Sequence, residues 1–134
     1  MTWLYVFLAC LAVFVLDAVW IGLAARRLYR AELGNMLRDK PLALPGMIFY
    51  PLYAAAVSLY VVWPAQSSAV IHDWMMVYSY GVGFGLAAYG TYALTNWAIF
   101  KRWSARVAVP DIIWGGFLTG LMGLAGSAVW LMAK

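Results

Sequence analysis

The sequence WLYVFLACLAVFVLDAVWIGLAA, residues 3–25, contains a single charged side chain, Asp17. A transmembrane helix needs about 20 mostly apolar residues, so this stretch is long enough to cross a bilayer. A carboxyl group at the centre of a membrane helix costs about 2.5 kcal/mol or more, so such residues usually have partners. We therefore predict a first transmembrane helix in which Asp17 has a structural or functional purpose. The stretch lacks the flanks of a removable signal peptide, and we expect it to be retained.

The composition of the chain is that of an integral membrane protein. Of its 134 residues, 66% are hydrophobic and 10% are charged, whereas soluble domains have about 25% charged residues. Three further apolar stretches follow, without the alternation of barrel strands. We predict an all-α polytopic membrane protein, a single domain over residues 1–134 that forms a four-transmembrane-helix bundle. Its helices are expected at about residues 3–25, 47–63, 74–100 and 112–133.

The basic residues predict the orientation of the bundle. All lysines and arginines except Lys134 lie in the loops 26–45 and 101–110. Because cytoplasmic loops are enriched in these residues, we predict that both loops are cytoplasmic and both termini outside, in the inner (plasma) membrane of a bacterium. The segment 26–38 can form a basic helix at the membrane surface, or a surface where a partner docks. The net charge of +4 has this topological role, and no nucleic-acid partner is expected.

Several kinds of chemistry are not expected from the residue types. Cys10 is the only cysteine and His72 the only histidine, which is too few for a disulfide, a zinc site or a bis-histidine haem site within one chain. No nucleophile with an adjacent base and no cofactor motif is visible. We therefore predict no metal, no cofactor and no catalytic residue, and an enzyme is the less favoured interpretation.

Polar and aromatic residues converge at the cytoplasmic end of the predicted bundle. Counted at about 1.5 Å per residue, Asp17 lies about 12 Å inside the cytoplasmic end of the first helix. On the third helix Gly85, Tyr89, Tyr92 and Asn96 form one stripe at helical spacing. We predict a polar cluster or ligand-binding site that contains Asp17, Trp20, Tyr50, Tyr53, Tyr89, Tyr92, Asn96, Asp111 and Trp114.

Structural interpretations compete with this functional one. Tyr50, Trp103 and Trp114 lie near predicted boundaries, where aromatic residues anchor helices at the headgroups. Asp111 directly follows Pro110, a position typical of a helix N-cap.

Asp17 also has two interpretations. It could accept a structural hydrogen bond from the third helix, from Tyr89, Tyr92 or Asn96. It could equally serve transport or catalysis.

Small residues predict close packing of the third and fourth helices. Gly81 and Gly85 share a face of the third helix, and Gly116, Gly120 and Gly123 share a face of the fourth. Such faces let helix backbones approach closely. They are either packing seams within one chain or the interface of a homo-oligomer.

Four segments resemble the signature of a family of small four-helix bacterial inner-membrane proteins known only as a domain of unknown function. They are LDAVWIG at 16–22, FYPLYA at 49–54, AAYGTYALTNWA at 87–98 and DIIWGG at 111–116, which contain the patterns LDxxW, YGTYxLTN and DxxWG. The resemblance implies the four-helix architecture and a loose association with genes for fatty-acid methylation and flavin-dependent lipid oxidation. Members often have an acidic residue where this chain has Ala93.

Two functions fit these features. The first is a non-enzymatic component that binds a membrane lipid or another amphiphile in a cytoplasm-facing cleft and presents it to a lipid-modifying enzyme, since aromatic planes and a few polar groups suit such a ligand. The alternative is a small proton-coupled exporter of cationic amphiphiles that uses Asp17. Exporters that work as antiparallel dimers need balanced loop charge, which this chain lacks.

Overall fold

The computed structural model describes residues 1–134 and contains helices, turns and no strand. The all-α prediction is confirmed. The elements are α1 (Thr2–Trp20), a π-helical turn (Ile21–Ala25), α2 (Arg26–Leu33), a 3-10 turn (Gly34–Met36), α3 (Ala43–Val57), a second π-helical turn (Ser58–Val62), α4 (Trp63–Gln66), a 3-10 turn (Ala69–His72), α5 (Trp74–Ile99) and α6 (Ala105–Met132).

These elements form an up-down-up-down bundle of four rods. α1 continues through its π turn into α2, α3 continues through its π turn into α4, and α5 and α6 are each one long helix. α6 packs along both α5 and α1, and α1 also packs along α3. The core between α1, α3 and α6 is apolar, with Val6, Cys10, Val57 and Met122 fully buried.

Three of the four rods are long and apolar enough to cross a membrane: Thr2–Met36, Ala43–Gln66 and Ala105–Met132. α5 has 26 residues and no charge, but its tyrosines, glycines, threonines and asparagine lower its hydropathy. Tyr78, Gly81 and Gly85 pack against α6, whereas Tyr80 and Tyr92 are exposed. The assignment of α5 as a fourth membrane span stays a prediction, as do the orientation and the bacterial inner membrane.

Three of the predicted helix boundaries differ from the structure. The second helix begins at Ala43 and, with its π turn, continues to Gln66, and the fourth begins at Ala105 rather than near residue 112. The predicted loop 101–110 is reduced to a short connection at 100–104, and the predicted loop 26–45 contains α2. Pro110 lies inside α6 and not before its start, a position that membrane helices tolerate.

The predicted small-residue faces meet within the chain. A Cβ added at Gly81 would lie 2.6 Å from the carbonyl oxygen of Thr119, and one at Gly85 would collide with the carbonyl of Gly115. In return, Gly115 and Gly120 on α6 receive the rings of Tyr89 and Tyr78. The glycines are therefore required where α5 and α6 approach each other closely, and this seam fixes the position of Tyr89.

Candidate functional site: an acidic and aromatic cavity

A cavity of about 610 Å³ lies among α1, α2, α3, α5 and α6 at the end of the bundle that carries the basic loops. α5 meets the second rod mainly at the π turn Ser58–Val62 and has little contact with α3 itself. The space left between α3 and α5 is crossed by Tyr53, whose ring contacts Tyr89 at 5.9 Å between centroids. Every predicted site residue except Asn96 lines this cavity: Asp17, Trp20, Tyr50, Tyr53, Tyr89, Tyr92, Asp111 and Trp114.

Asp17 is held by one residue from each neighbouring helix. Asp17 is 5% exposed, Oδ1 accepts a hydrogen bond from Trp114 Nε1 at 2.9 Å, and Oδ2 accepts one from Tyr50 Oη at 3.1 Å. The interpretation in which Asp17 accepts a hydrogen bond from Tyr89, Tyr92 or Asn96 on the third helix is wrong. Counting residues from the loop gives the depth of Asp17 but not the side of the helix that it faces, and α1 packs against α3 and α6.

Two stacked indoles lie beside Asp17. Trp20, one turn after Asp17, stacks on Trp114 with ring centroids 4.8 Å apart and an interplanar angle of 10°. Trp114 therefore packs between helices and donates to Asp17, which differs from the role of a headgroup anchor. Tyr50 also points into the bundle, where its ring contacts Phe14 and its hydroxyl donates to Asp17.

Asp111 is the second carboxyl group of the cavity. The residue is 7% exposed, and Oδ1 accepts a hydrogen bond from Tyr29 Oη at 2.6 Å. Oδ2 receives no hydrogen bond from the protein and is not completely buried. The N-cap interpretation is wrong because α6 begins at Ala105, with Ser104 as its N-cap residue, so Asp111 lies in the second turn.

Sequence reasoning missed Tyr29, because the segment that contains it was interpreted as a helix lying at the membrane surface. α2 instead docks on the start of α6: Glu32 accepts a hydrogen bond from Ser104 Oγ at 2.8 Å and pairs with Arg106 at 3.8 Å. Leu33 packs in the same apolar cluster as Trp103. The signal was present as the helical spacing of Tyr29, Glu32 and Leu33, which share one face of α2, while the basic side chains are exposed.

Of the three predicted site residues on α5, two line the cavity and one does not. Tyr89 lines the cavity, and its hydroxyl makes no hydrogen bond within the protein. Tyr92 also lines the cavity but is 51% exposed, and it contacts Trp103 edge to face. Asn96, one turn further along, lies outside the cavity. Ala93 is fully buried among apolar side chains.

The polar lining of the cavity is acidic and phenolic. No lysine, arginine or histidine lines it. Two basic side chains at this end of the bundle have partners elsewhere: Arg26 donates to the carbonyl oxygen of Asp39 at 2.8 Å, and Arg106 pairs with Glu32. Arg27 and Arg30 on α2 are exposed and do not line the cavity. Asp17 and Asp111 are not part of a group of three or more potential metal ligands. The cavity therefore offers two carboxyl groups, tyrosine hydroxyls and aromatic planes to a ligand.

Comparison with known proteins gives the family of the chain but no activity. Neither the curated proteins nor the solved structures contain a significant match. A family model described as "Predicted membrane protein (DUF2177)" matches residues 2–128. This range contains both carboxyl groups of the cavity and the four segments whose resemblance was noted in the sequence. The chain belongs to the DUF2177 family of membrane proteins, whose function is unknown.

Proposed function

We propose that this membrane protein binds an amphiphilic molecule, such as a membrane lipid, in the cavity and does so without catalysis. The observation that carries the proposal is the composition of the cavity wall: most of it is aromatic or apolar, and polar groups lie at a few fixed points. A volume of about 610 Å³ falls within the usual size of small-molecule sites, about 300–1,000 Å³.

The two parts of the wall suit the two parts of an amphiphile. The polar end of the ligand would lie near Asp17 and Asp111, which are 5% and 7% exposed. The apolar end would run past Ile21 and Phe49, which line the cavity and are themselves 38% and 41% exposed. These two residues connect the cavity with the outer surface of the bundle, which displays large apolar side chains.

If the basic loops are cytoplasmic, the protein could present the bound ligand to an enzyme. The cavity would then open near the cytoplasmic side of the membrane, and a membrane-associated lipid-modifying enzyme could take the ligand there. This part of the proposal rests on the loop charges and on the association that the sequence resemblance implies, with no enzyme identified.

Proton-coupled export is the second candidate function. The observation that favours it is the presence of two buried carboxyl groups in one cavity, since intramembrane carboxyl groups often relay protons. In this case Asp17→Asn should abolish proton-driven transport of cationic dyes in vesicles and preserve folding. Unchanged transport, or no transport by the unmodified protein, would remove this candidate.

Native mass spectrometry of the gently purified protein tests the binding proposal. We expect a bound amphiphile of defined mass, whose occupancy falls in Trp114→Ala because one wall of the cavity is removed. Asn96→Leu is the control, since Asn96 lies on α5 outside the cavity. Equal occupancy in Trp114→Ala, Asn96→Leu and the unmodified chain would contradict the proposal.

A further inference from the structure

We propose that the polar end of the amphiphile is cationic, an amine or quaternary ammonium group, and that Asp111 rather than Asp17 makes the charge contact. This inference rests on the proposed binding function and names the chemical class of the ligand. Three features of the cavity carry it: two carboxyl groups without a basic partner, the oxygen of Asp111 that has no hydrogen bond, and the aromatic side chains that line the same cavity.

The first feature is the missing counter-charge. Two carboxyl groups line the cavity and no basic side chain does. A buried charge without a partner is strongly destabilising, whereas a paired one is tolerated. A cationic ligand would supply the partner that the chain does not. A phosphate or carboxylate headgroup would meet two acids and no lysine or arginine, so anionic ligands should be excluded.

The second feature distinguishes the two acids. Both oxygens of Asp17 already accept hydrogen bonds, from Trp114 and from Tyr50. Asp111 is also buried, but only Oδ1 has a partner, Tyr29. Asp17 therefore orders the aromatic wall, while Asp111 presents an unpaired oxygen whose orientation is fixed by Tyr29.

The third feature is the aromatic lining of the cavity that contains Asp111. Trp114 follows it by three residues, within one helical turn, and stacks on Trp20. Gly115, four residues after Asp111, receives the ring of Tyr89. Aromatic faces attract cations, and cages of such rings recognise quaternary ammonium groups. The unpaired Tyr89 hydroxyl adds a polar group that a primary amine could donate to.

The test compares three amphiphiles with the same twelve-carbon chain: dodecyltrimethylammonium, dodecanoate and dodecyl maltoside. Binding to the full chain in nanodiscs is measured by calorimetry below micellar concentration, with empty nanodiscs subtracted. We expect the ammonium probe to bind at least about tenfold more tightly than the other two, which corresponds to about 1.4 kcal/mol, because only its headgroup can pair with the Asp111 carboxylate and contact the rings as a cation. Asp111→Asn should remove this preference.

Asp73→Asn is the matched control for the loss of a carboxylate. Asp73 caps α5 at the opposite end of the bundle by accepting from the Met76 amide at 3.1 Å, and asparagine also caps helices well. This variant should keep the full preference for the ammonium probe.

The outcomes separate the two proposals. If the anionic or neutral probe binds as tightly as the ammonium probe, the cationic class is wrong and the binding function stands. If no probe binds above empty nanodiscs, the binding function itself fails. If Asp111→Asn keeps the preference, the assignment of the contact to Asp111 is wrong. The probe comparison on the unmodified chain stands even if a variant does not fold.

Discussion

At the scale of single residues, Asp17 has hydrogen-bond partners that define a stability experiment. Asp17→Asn can still accept from Trp114, and the Tyr50 hydroxyl can turn to accept from the new amide. Asp17→Leu leaves the buried indole N–H and the hydroxyl without a partner, which costs about 1–3 kcal/mol for each buried group. We expect Asp17→Leu to melt well below Asp17→Asn in thermal denaturation of the protein in nanodiscs. Equal melting temperatures would show that these bonds contribute nothing to stability.

The sequence predicts which residues of the site lie at one depth but not how they pair. Spacing along each helix placed Asp17, Trp20, Asp111 and Trp114 near one level, and all four line the cavity. The partners of Asp17 were assigned to the wrong helix because the order in which helices pack around the bundle is a tertiary property. Asn96 shares the helical stripe of Tyr89, but the cavity ends one turn before it.

At the scale of elements, the seam between α5 and α6 makes a clear prediction. Gly85→Ala should destabilise the bundle strongly, because the new Cβ would collide with the Gly115 carbonyl and with Thr119 Oγ1. Backbone atoms cannot yield without separating the two helices. Gly83→Ala is the control on the same helix, since nothing lies within 4 Å of its new Cβ. It should be neutral or slightly stabilising, because alanine favours a helix over glycine by up to about 1 kcal/mol.

Unfolding by denaturant in nanodiscs or mixed micelles measures both glycine variants. Similar midpoints for Gly85→Ala and Gly83→Ala would contradict the close approach of α5 and α6. The same comparison also tests the position of one cavity wall. Gly85 and the Tyr89 ring both pack against Gly115, and Tyr89 lines the cavity.

The existence of the long helices is predictable from the apolar stretches, whereas their ends and irregular turns are not. The π turns at Ile21–Ala25 and Ser58–Val62 have no sequence signal that periodicity detects. α2 was expected as a surface helix because its arginines dominate the pattern. Its docking depends on Tyr29 and Glu32 finding partners on α6, and these contacts are far apart in the chain.

At the scale of the whole molecule, the number of membrane spans decides where the termini lie. If α5 crosses the membrane with the other three rods, both termini lie on the same side. Loop charge predicts that this side is outside and that the loop at Asn35 is cytoplasmic. Reporters fused before Thr2, after Lys134 and within the loop at Asn35 measure this directly. Termini on opposite sides would mean that α5 does not span, and cytoplasmic termini would reverse the orientation.

The central claim is that the cavity between the helices holds an amphiphile. Photolabelling tests it most directly, with a dodecyl amphiphile that carries a diazirine beside its headgroup, prepared in ammonium and maltoside forms. We expect adducts, mapped by mass spectrometry, on cavity residues near the two carboxyl groups, such as Tyr29, Tyr89 and Trp114, with at least one probe, and these adducts should disappear when excess unlabelled probe is added. Adducts confined to outward residues such as Leu23 and Leu52, unaffected by competition with either probe, would contradict the claim.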